Sequence, residues 1–186
     1  EREKAAAKEK ARNQGLFDQN PEARGNQHHA NFLRSWWRMS YPREALMESL
    51  RTKTRYVVCG RVTKRPIFEF VSTAISPNDS LTVFDHEDDY TFGILQSSIH
   101  WEWFVNRCST LTERFRYTSN SVFDSFPWPQ VPSLSAVKAV ATAAVALRAK
   151  RRELCEKHNI SLRDLYRSME QPGTHPLKEV TSVLDA

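Results

Sequence analysis

The chain has 186 residues, 40% of them apolar and five of them tryptophan, which is material for one good core or two small ones and excludes a disordered tail. Lys and Arg number 27 against 22 Asp and Glu, so the net charge is +5 and the pI is near 9.2, which favours an anionic partner without identifying it. No secretion signal and no apolar run approaching about 20 residues occurs, so nothing is expected to span or leave through a membrane, and a cytoplasmic protein is expected.

Residues 1–13 are strong helix formers of alternating charge and predict a solvated or linker helix. The chain does not start with Met, and this helix is expected to lead in from a domain upstream. Gly15 to Asn31 has the composition of a loop, and its adjacent His28 and His29 have no acidic or cysteine partner nearby, so no metal role is assigned to them. Trp36 and Trp37 predict an anchor for a core seam, with base stacking as the sharper alternative. Pro42 opens a short helix from Arg43 to Leu50. Three strands follow: within Arg51 to Arg65, over Ile67 to Val71, and over Leu81 to Phe84 after a Pro77-Asn78-Asp79 turn, giving a small antiparallel sheet. The basic residues at the strand ends, Arg51, Lys53, Arg55, Arg61, Lys64 and Arg65, line either a phosphate-facing rim or an edge protected by charge.

The stretch from Asp88 to Pro129 organises the rest. Asp88 and Asp89 precede Phe92, Leu95, Ile99 and Trp103 at helical spacing, which predicts a capped amphipathic helix. Ile94, Trp101 and Val105 lie off that stripe, so the helix needs cover on more than one side. From Cys108 to Asn120 the side chains turn polar, interrupted only by Leu111, Phe115 and Tyr117, and Phe126-Pro127-Trp128-Pro129 with Pro132 then predicts a stiff extended connector. Ser133 or Ser135 caps a long helix to about Lys157 with Val137, Val140, Ala144, Leu147 and Leu154 along one side. Its cluster Arg148, Lys150, Arg151 and Arg152 reads as a solvated face or as phosphate contacts, Arg148 and Arg151 being the candidates. Helices over Leu162 to Met169 and Pro176 to Asp185 complete the chain.

The usual catalytic patterns are missing: there is no P-loop, no G-x-S-x-G, no H-E-x-x-H and no glycine-rich dinucleotide turn. Asp85, Glu87, Asp88 and Asp89 fit helix caps better than a Mg²⁺ site, and His100 fits a core histidine better than a general base. Cys59, Cys108 and Cys155 are odd in number and never form a C-x-x-C pair, so they predict reduced, intracellular thiols and no zinc.

A longer pattern carries more. Tyr56, Arg61-Val62, Phe68-Glu69-Phe70, Val83-Phe84, Asp88-Asp89-Tyr90-Thr91-Phe92-Gly93-Ile94-Leu95-Gln96-Ser97-Ser98, His100, Trp103, Arg116-Tyr117-Thr118 and Phe126-Pro127-Trp128-Pro129 follow in one order. From about Trp36 onward this resembles the target-recognition domain, with its C-terminal helical region, of large single-chain adenine-N6 DNA methyltransferases, the fused restriction-modification enzymes of type IIL or IIG and related phage-defence methylases. The resemblance implies an α+β module whose small, mainly antiparallel sheet packs with aromatic-rich helices and is followed by a C-terminal helical hairpin. Residues 1–33 would be a linker from an upstream methyltransferase domain, 34–132 the recognition domain, and 133–186 the helical region. It implies double-stranded DNA as partner, with the upstream methyltransferase domain as a second partner in the same chain. No cofactor belongs to this part, since S-adenosylmethionine and catalysis would reside upstream.

By the same resemblance the segment before Phe126 supplies base contacts from Thr110, Thr112, Glu113, Arg114, Arg116, Thr118, Ser119 and Asn120. The chemistry suits the role, because arginine grips guanine, glutamate accepts from cytosine and asparagine pairs with adenine. A competing expectation is a protein-interaction scaffold, with the tryptophans and the 137 to 154 stripe docked on a partner subunit. A nuclease built on the acid cluster is a third.

Overall fold

The computed structural model describes residues 1–36, 43–111 and 114–186, with the side chains of Thr110, Leu111 and Arg114 outside the description. The chain divides into two compact units, Glu1–Glu48 and Ser49–Ala186. In the first, α1 (Arg2–Gln19) and α2 (His28–Arg34) form a helical pair. The buried Glu9 carboxylate accepts the amide N–H groups of His29, at 2.9 and 3.1 Å, and of Ala30, at 3.0 Å, and so satisfies the open start of α2. This cap supports a helix at both histidines where a loop was expected, and the first helix also continues past residue 13, to Gln19. Trp36 stands 66% exposed in place of anchoring a core, and Trp37 lies outside the described residues.

The boundary between the units falls inside α3 (Glu44–Arg51). Beyond it, β1 (Arg55–Gly60), β3 (Glu69–Ser72) and β4 (Leu81–Phe84) make an antiparallel sheet ordered β3-β1-β4, with Val57 opposite both Phe70 and Phe84. The middle strand β1 is covered on both sides, since Tyr56, Val57, Val58 and Cys59 are all buried. The single strand expected over 51–65 is broken after Gly60, and β2 (Val62–Thr63) joins a second antiparallel sheet ordered β2-β6-β5, with β5 at Ser109–Leu111 and β6 at Arg114–Arg116. Arg61 is the corner between the sheets. Its N–H donates to the Ser80 carbonyl at 2.9 Å on the first sheet, and its own carbonyl accepts from the Tyr117 N–H at 2.9 Å on the second.

The helix expected from Asp89 onward is two helices, α4 (Asp89–Gln96) and α5 (Ser98–Arg107). Asp88 caps the first through the Thr91 N–H at 2.7 Å, and Ser97 both ends α4 and starts α5, its hydroxyl accepting from the His100 N–H at 3.2 Å. The break re-aims the apolar stripe: His100 and Phe104 turn inward, while Ile99 is 65% exposed. Next come a π-helical turn, Ser119–Phe123, the proline-rich connector, and α6 (Leu134–His158), α7 (Leu162–Met169) and α8 (Pro176–Asp185). Ser133 caps α6 through the Ala136 N–H, and Asn159 ends it in the left-handed conformation, φ 50°.

These helices share one core with the sheets. Ala144, Leu147, Leu154, Leu165, Leu177 and Leu184 are buried together with Val57, Phe68, Phe84, Phe92 and Leu95, so residues 133–186 are not set apart from the strands that precede them. Packing is tight at Gly93 of α4, where a Cβ would stand 2.7 Å from Val140 Cγ1 and 3.3 Å from both Ala144 Cβ and Leu184 Cδ1. Gly93→Val is therefore expected to cost about 1–3 kcal/mol through overpacking, measured as a drop in the urea midpoint. An unchanged midpoint would mean that α4 and α6 are not in contact at this glycine.

Candidate nucleic-acid interface

The side chain that ties the second sheet to the core is Tyr117, one residue past β6. Its ring stacks on Phe104 at 5.5 Å and meets Phe84 and Phe68 edge-on at 5.3 and 6.0 Å. Its hydroxyl bonds to His100 Nε2 at 2.8 Å. Burial lowers the His100 pKa to about 4 and raises that of Tyr117 above the usual phenol range, so the pair is neutral near pH 7. Phe126 packs edge-on against His100 at 4.8 Å, and Trp128 sits on Phe126 and Phe123 at 5.2 and 5.1 Å. The Phe-Pro-Trp-Pro connector is thus one wall of an aromatic cluster. Two indole N–H groups fix the π-helical turn to it: Trp103 donates to the Val122 carbonyl at 3.1 Å and Trp128 to the Phe123 carbonyl at 3.2 Å.

On this base the polar segment expected as a loop is a hairpin and a turn. Ser109 and Val62 both pair with Arg116, while Thr110 and Thr63 both pair with Phe115. Side chains alternate along a strand, so consecutive residues of the predicted set cannot share one surface. Phe115 goes inward, edge-on to Phe104 at 5.7 Å, and Arg116 goes outward beside Val62, which is 42% exposed. Thr118 is half-buried, and its hydroxyl is within 2.5 Å of Ser121 Oγ; Ser119 and Asn120 are exposed on the first turn of the π-helical segment. Thr112 and Glu113 lie outside the described residues, as do the side chains of Thr110 and Arg114; the backbone sets Arg114 opposite Leu111, two residues before Arg116.

The basic candidates divide sharply. Arg151 is 2% exposed: its Nε donates to the Tyr166 hydroxyl at 2.9 Å, its Nη1 donates to the Phe68 carbonyl at 2.9 Å, and Glu69 lies 3.9 Å away. It is a core arginine and cannot reach a phosphate, which corrects the reading of Arg151 as a phosphate contact. Arg55 and Arg148 hold opposite oxygens of the Asp89 carboxylate, and both guanidinium groups lie over the Phe70 ring, at 3.8 and 4.8 Å from its centroid. Both are paired and half-buried, so this contact of α6 with the sheet absorbs the charge expected at the rim. Lys53 pairs with Asp85 at 2.9 Å, and Arg65 faces Glu170 at 3.8 Å and the Trp101 ring at 5.1 Å. Arg61 donates to the Asp79 carbonyl at 3.1 Å, Arg51 is exposed at the end of α3, and Lys64 is exposed beside β2.

The acid cluster is equally engaged. Asp88 is a cap, Asp89 carries two arginines, and Glu87 accepts the Thr54 N–H at 3.1 Å. Burial opposes the charged form of Asp85, but the Ser49 hydroxyl and Lys53 outweigh it and hold its carboxyl below the usual carboxylate range. Among the described residues no group of three or more His, Cys, Asp and Glu side chains is placed to hold a metal ion, and no helix is long and apolar enough to cross a membrane. The stripe proposed for docking a partner subunit is spent internally, since Ala144, Leu147 and Leu154 are buried and Val140 packs on the same core.

Arg116, Thr118, Ser119 and Asn120 thus stand at one edge of a rigid aromatic frame, with Arg61 and Lys64 on either side of β2. Residues 49–130 match the model of a target recognition domain. The family model that matches them is that of MmeI, target recognition domain. The solved structure of the type IIL restriction-modification enzyme MmeI in complex with DNA is similar to this chain with a TM-score of 0.62 and 28% sequence identity, over 72% of this chain and 18% of that one. The chain therefore spans under a fifth of the length of that enzyme. No curated protein matches it.

Proposed function

We propose that residues 49–186 read the base sequence of double-stranded DNA for an S-adenosylmethionine-dependent adenine-N6 methyltransferase of the type IIL class, whose cofactor and adenine pocket lie in another domain of the same polypeptide. The observation that carries this reading is Arg116, centred in the β2-β6-β5 sheet, turned outward, and free of any ion pair among the described residues. It is held between an aromatic core and the exposed Ser119 and Asn120. Base readout needs polar side chains that project from a rigid support, and the Tyr117 cluster is that support.

In this reading Arg116 grips guanine O6 and N7, Asn120 faces an adenine edge, and Thr118 and Ser119 make adaptable hydrogen bonds. Thr110, Thr112, Glu113 and Arg114 remain base-contact candidates on the same hairpin, and Arg61 and Lys64 set the register on phosphates. This part of the polypeptide carries out no chemical step.

The test is the site preference of the chain, selected from a randomised duplex pool. Arg116→Ala is expected to lose about 1–3 kcal/mol of discrimination at one guanine position while other positions keep theirs. A preference unchanged at every position would remove Arg116 from base reading.

A further inference from the structure

The geometry points to Arg107 as a phosphate-gripping residue that borders the reading edge, an assignment resting on the DNA-reading function proposed above. Arg107 closes α5, and its guanidinium lies over the Trp103 indole, 4.7 Å from the ring centroid. The same indole donates its N–H to the Val122 carbonyl in the π-helical turn. One aromatic ring therefore fixes the turn that presents Ser119 and Asn120 and seats a cation beside it. The chain direction gives the same placement: Arg107 is two residues before Ser109, and Ser109 pairs with Arg116.

The charge on Arg107 is unspent. It is exposed and has no ion pair among the described residues, although Glu102 lies on the same helix and Asp124 directly follows the turn. Lys53, Arg55, Arg65, Arg148 and Arg151 each face a carboxylate. Stacking on an indole leaves the outer edge of a guanidinium, with its donors, directed at solvent and restricts its rotamers before any ligand arrives. Around the hairpin, Arg107, Arg116 and Lys64 are cations that face no carboxylate among the described residues, and of these three Arg116 stands within the row of the hairpin that faces outward. Arg107 lies at the flank, where a contact positions a duplex without reading it.

The experiment measures binding of the 186-residue chain and of Arg107→Ala and Arg107→Lys to the selected duplex and to an unrelated duplex over a range of salt concentrations. Loss of one phosphate contact makes the slope of log K against log salt shallower by about 0.9 in Arg107→Ala, with the same fractional weakening on both duplexes. Arg107→Lys keeps the slope because it keeps the charge. A helix-end stabilising role would instead move the melting temperature and leave the slope alone. A wild-type slope in Arg107→Ala overturns the assignment, and so does a weakening confined to the selected duplex, which would make Arg107 a base reader. Absence of salt-dependent DNA binding by the wild-type chain would overturn the parent reading itself, a result distinct from either.

Discussion

Arg151→Ala is expected to remove about 3–5 kcal/mol of folding free energy, a loss readable as a large drop in the urea midpoint with an unchanged m-value. The side chain lies where α6, α7 and the start of β3 meet. Two of its guanidinium nitrogens are bonded to the Tyr166 hydroxyl and one to the Phe68 carbonyl, and its charged end lies 5.6 Å from the Phe92 centroid. Truncation opens a cavity and leaves a buried hydroxyl and a buried carbonyl without donors, and each of those costs free energy on its own account. Arg151→Met restores much of the volume and none of the bonds, so it should recover part of the loss. A midpoint within experimental error of wild type for Arg151→Ala would show that the guanidinium is not buried in solution. The same variant separates a core arginine from a phosphate contact, whose loss would lower DNA affinity and spare the fold.

The second large effect is one of pH. His100 has a folded-state pKa of about 4 because burial disfavours its charged form, whereas the unfolded chain titrates near 6.5. Between these values the unfolded state binds a proton that the folded state does not, so stability is complete above pH 6.5 and falls as the pH is lowered toward 4. The shift corresponds to about 3 kcal/mol at the acid end. Carboxylates held below their ordinary values, such as Asp85, contribute only below about pH 5. The interval from about 5 to 6.5 therefore isolates the histidine. Burial also leaves His100 Nδ1 without a hydrogen-bond partner, so a protonated ring would have no compensating acceptor. His100→Phe should lower overall stability through loss of the Tyr117 bond while flattening this part of the pH profile. A wild-type profile that is flat from pH 6.5 to 5 would contradict the neutral His100–Tyr117 pair.

Much of the local structure was legible from residue order. Ser133 and Ser161 cap their helices as expected, Pro176 starts α8, and Asp88 caps α4. Such signals are carried by neighbours three or four positions apart, so short-range pattern suffices to find them. The α+β class, the antiparallel strand at Leu81–Phe84 and the resemblance of the ordered motifs to a target-recognition domain rest on the same kind of information. Besides the loop expected over Gly15 to Asn31, which holds the end of α1 and most of α2, two breaks inside regular elements escape the local pattern. The apolar spacing makes Ser97 part of one continuous helix although it is a good cap, and makes Gly60-Arg61 the interior of one strand. In both cases the periodic apolar pattern runs on past the break: at Ser97 the break is made by its own local bonds to Ile94 and His100, and at Arg61 by backbone bonds to the distant Ser80 and Tyr117.

What residue order by itself determined about this protein is its class, most of its helices from Glu44 onward with several of their caps, and an excess of cations over anions. Which of those cations are available was decided only by tertiary structure. Arg148 meets Asp89 across 59 positions and Arg151 meets Phe68 across 83. Pairings at that separation have no local signature, and a net charge counts spent and unspent charges alike. The same holds for the polar segment from Ser109 to Asn120. Its composition announced a surface rich in hydrogen-bonding groups, but alternation in a hairpin, set by the register of Ser109 and Val62 against Arg116, chose which of them face outward.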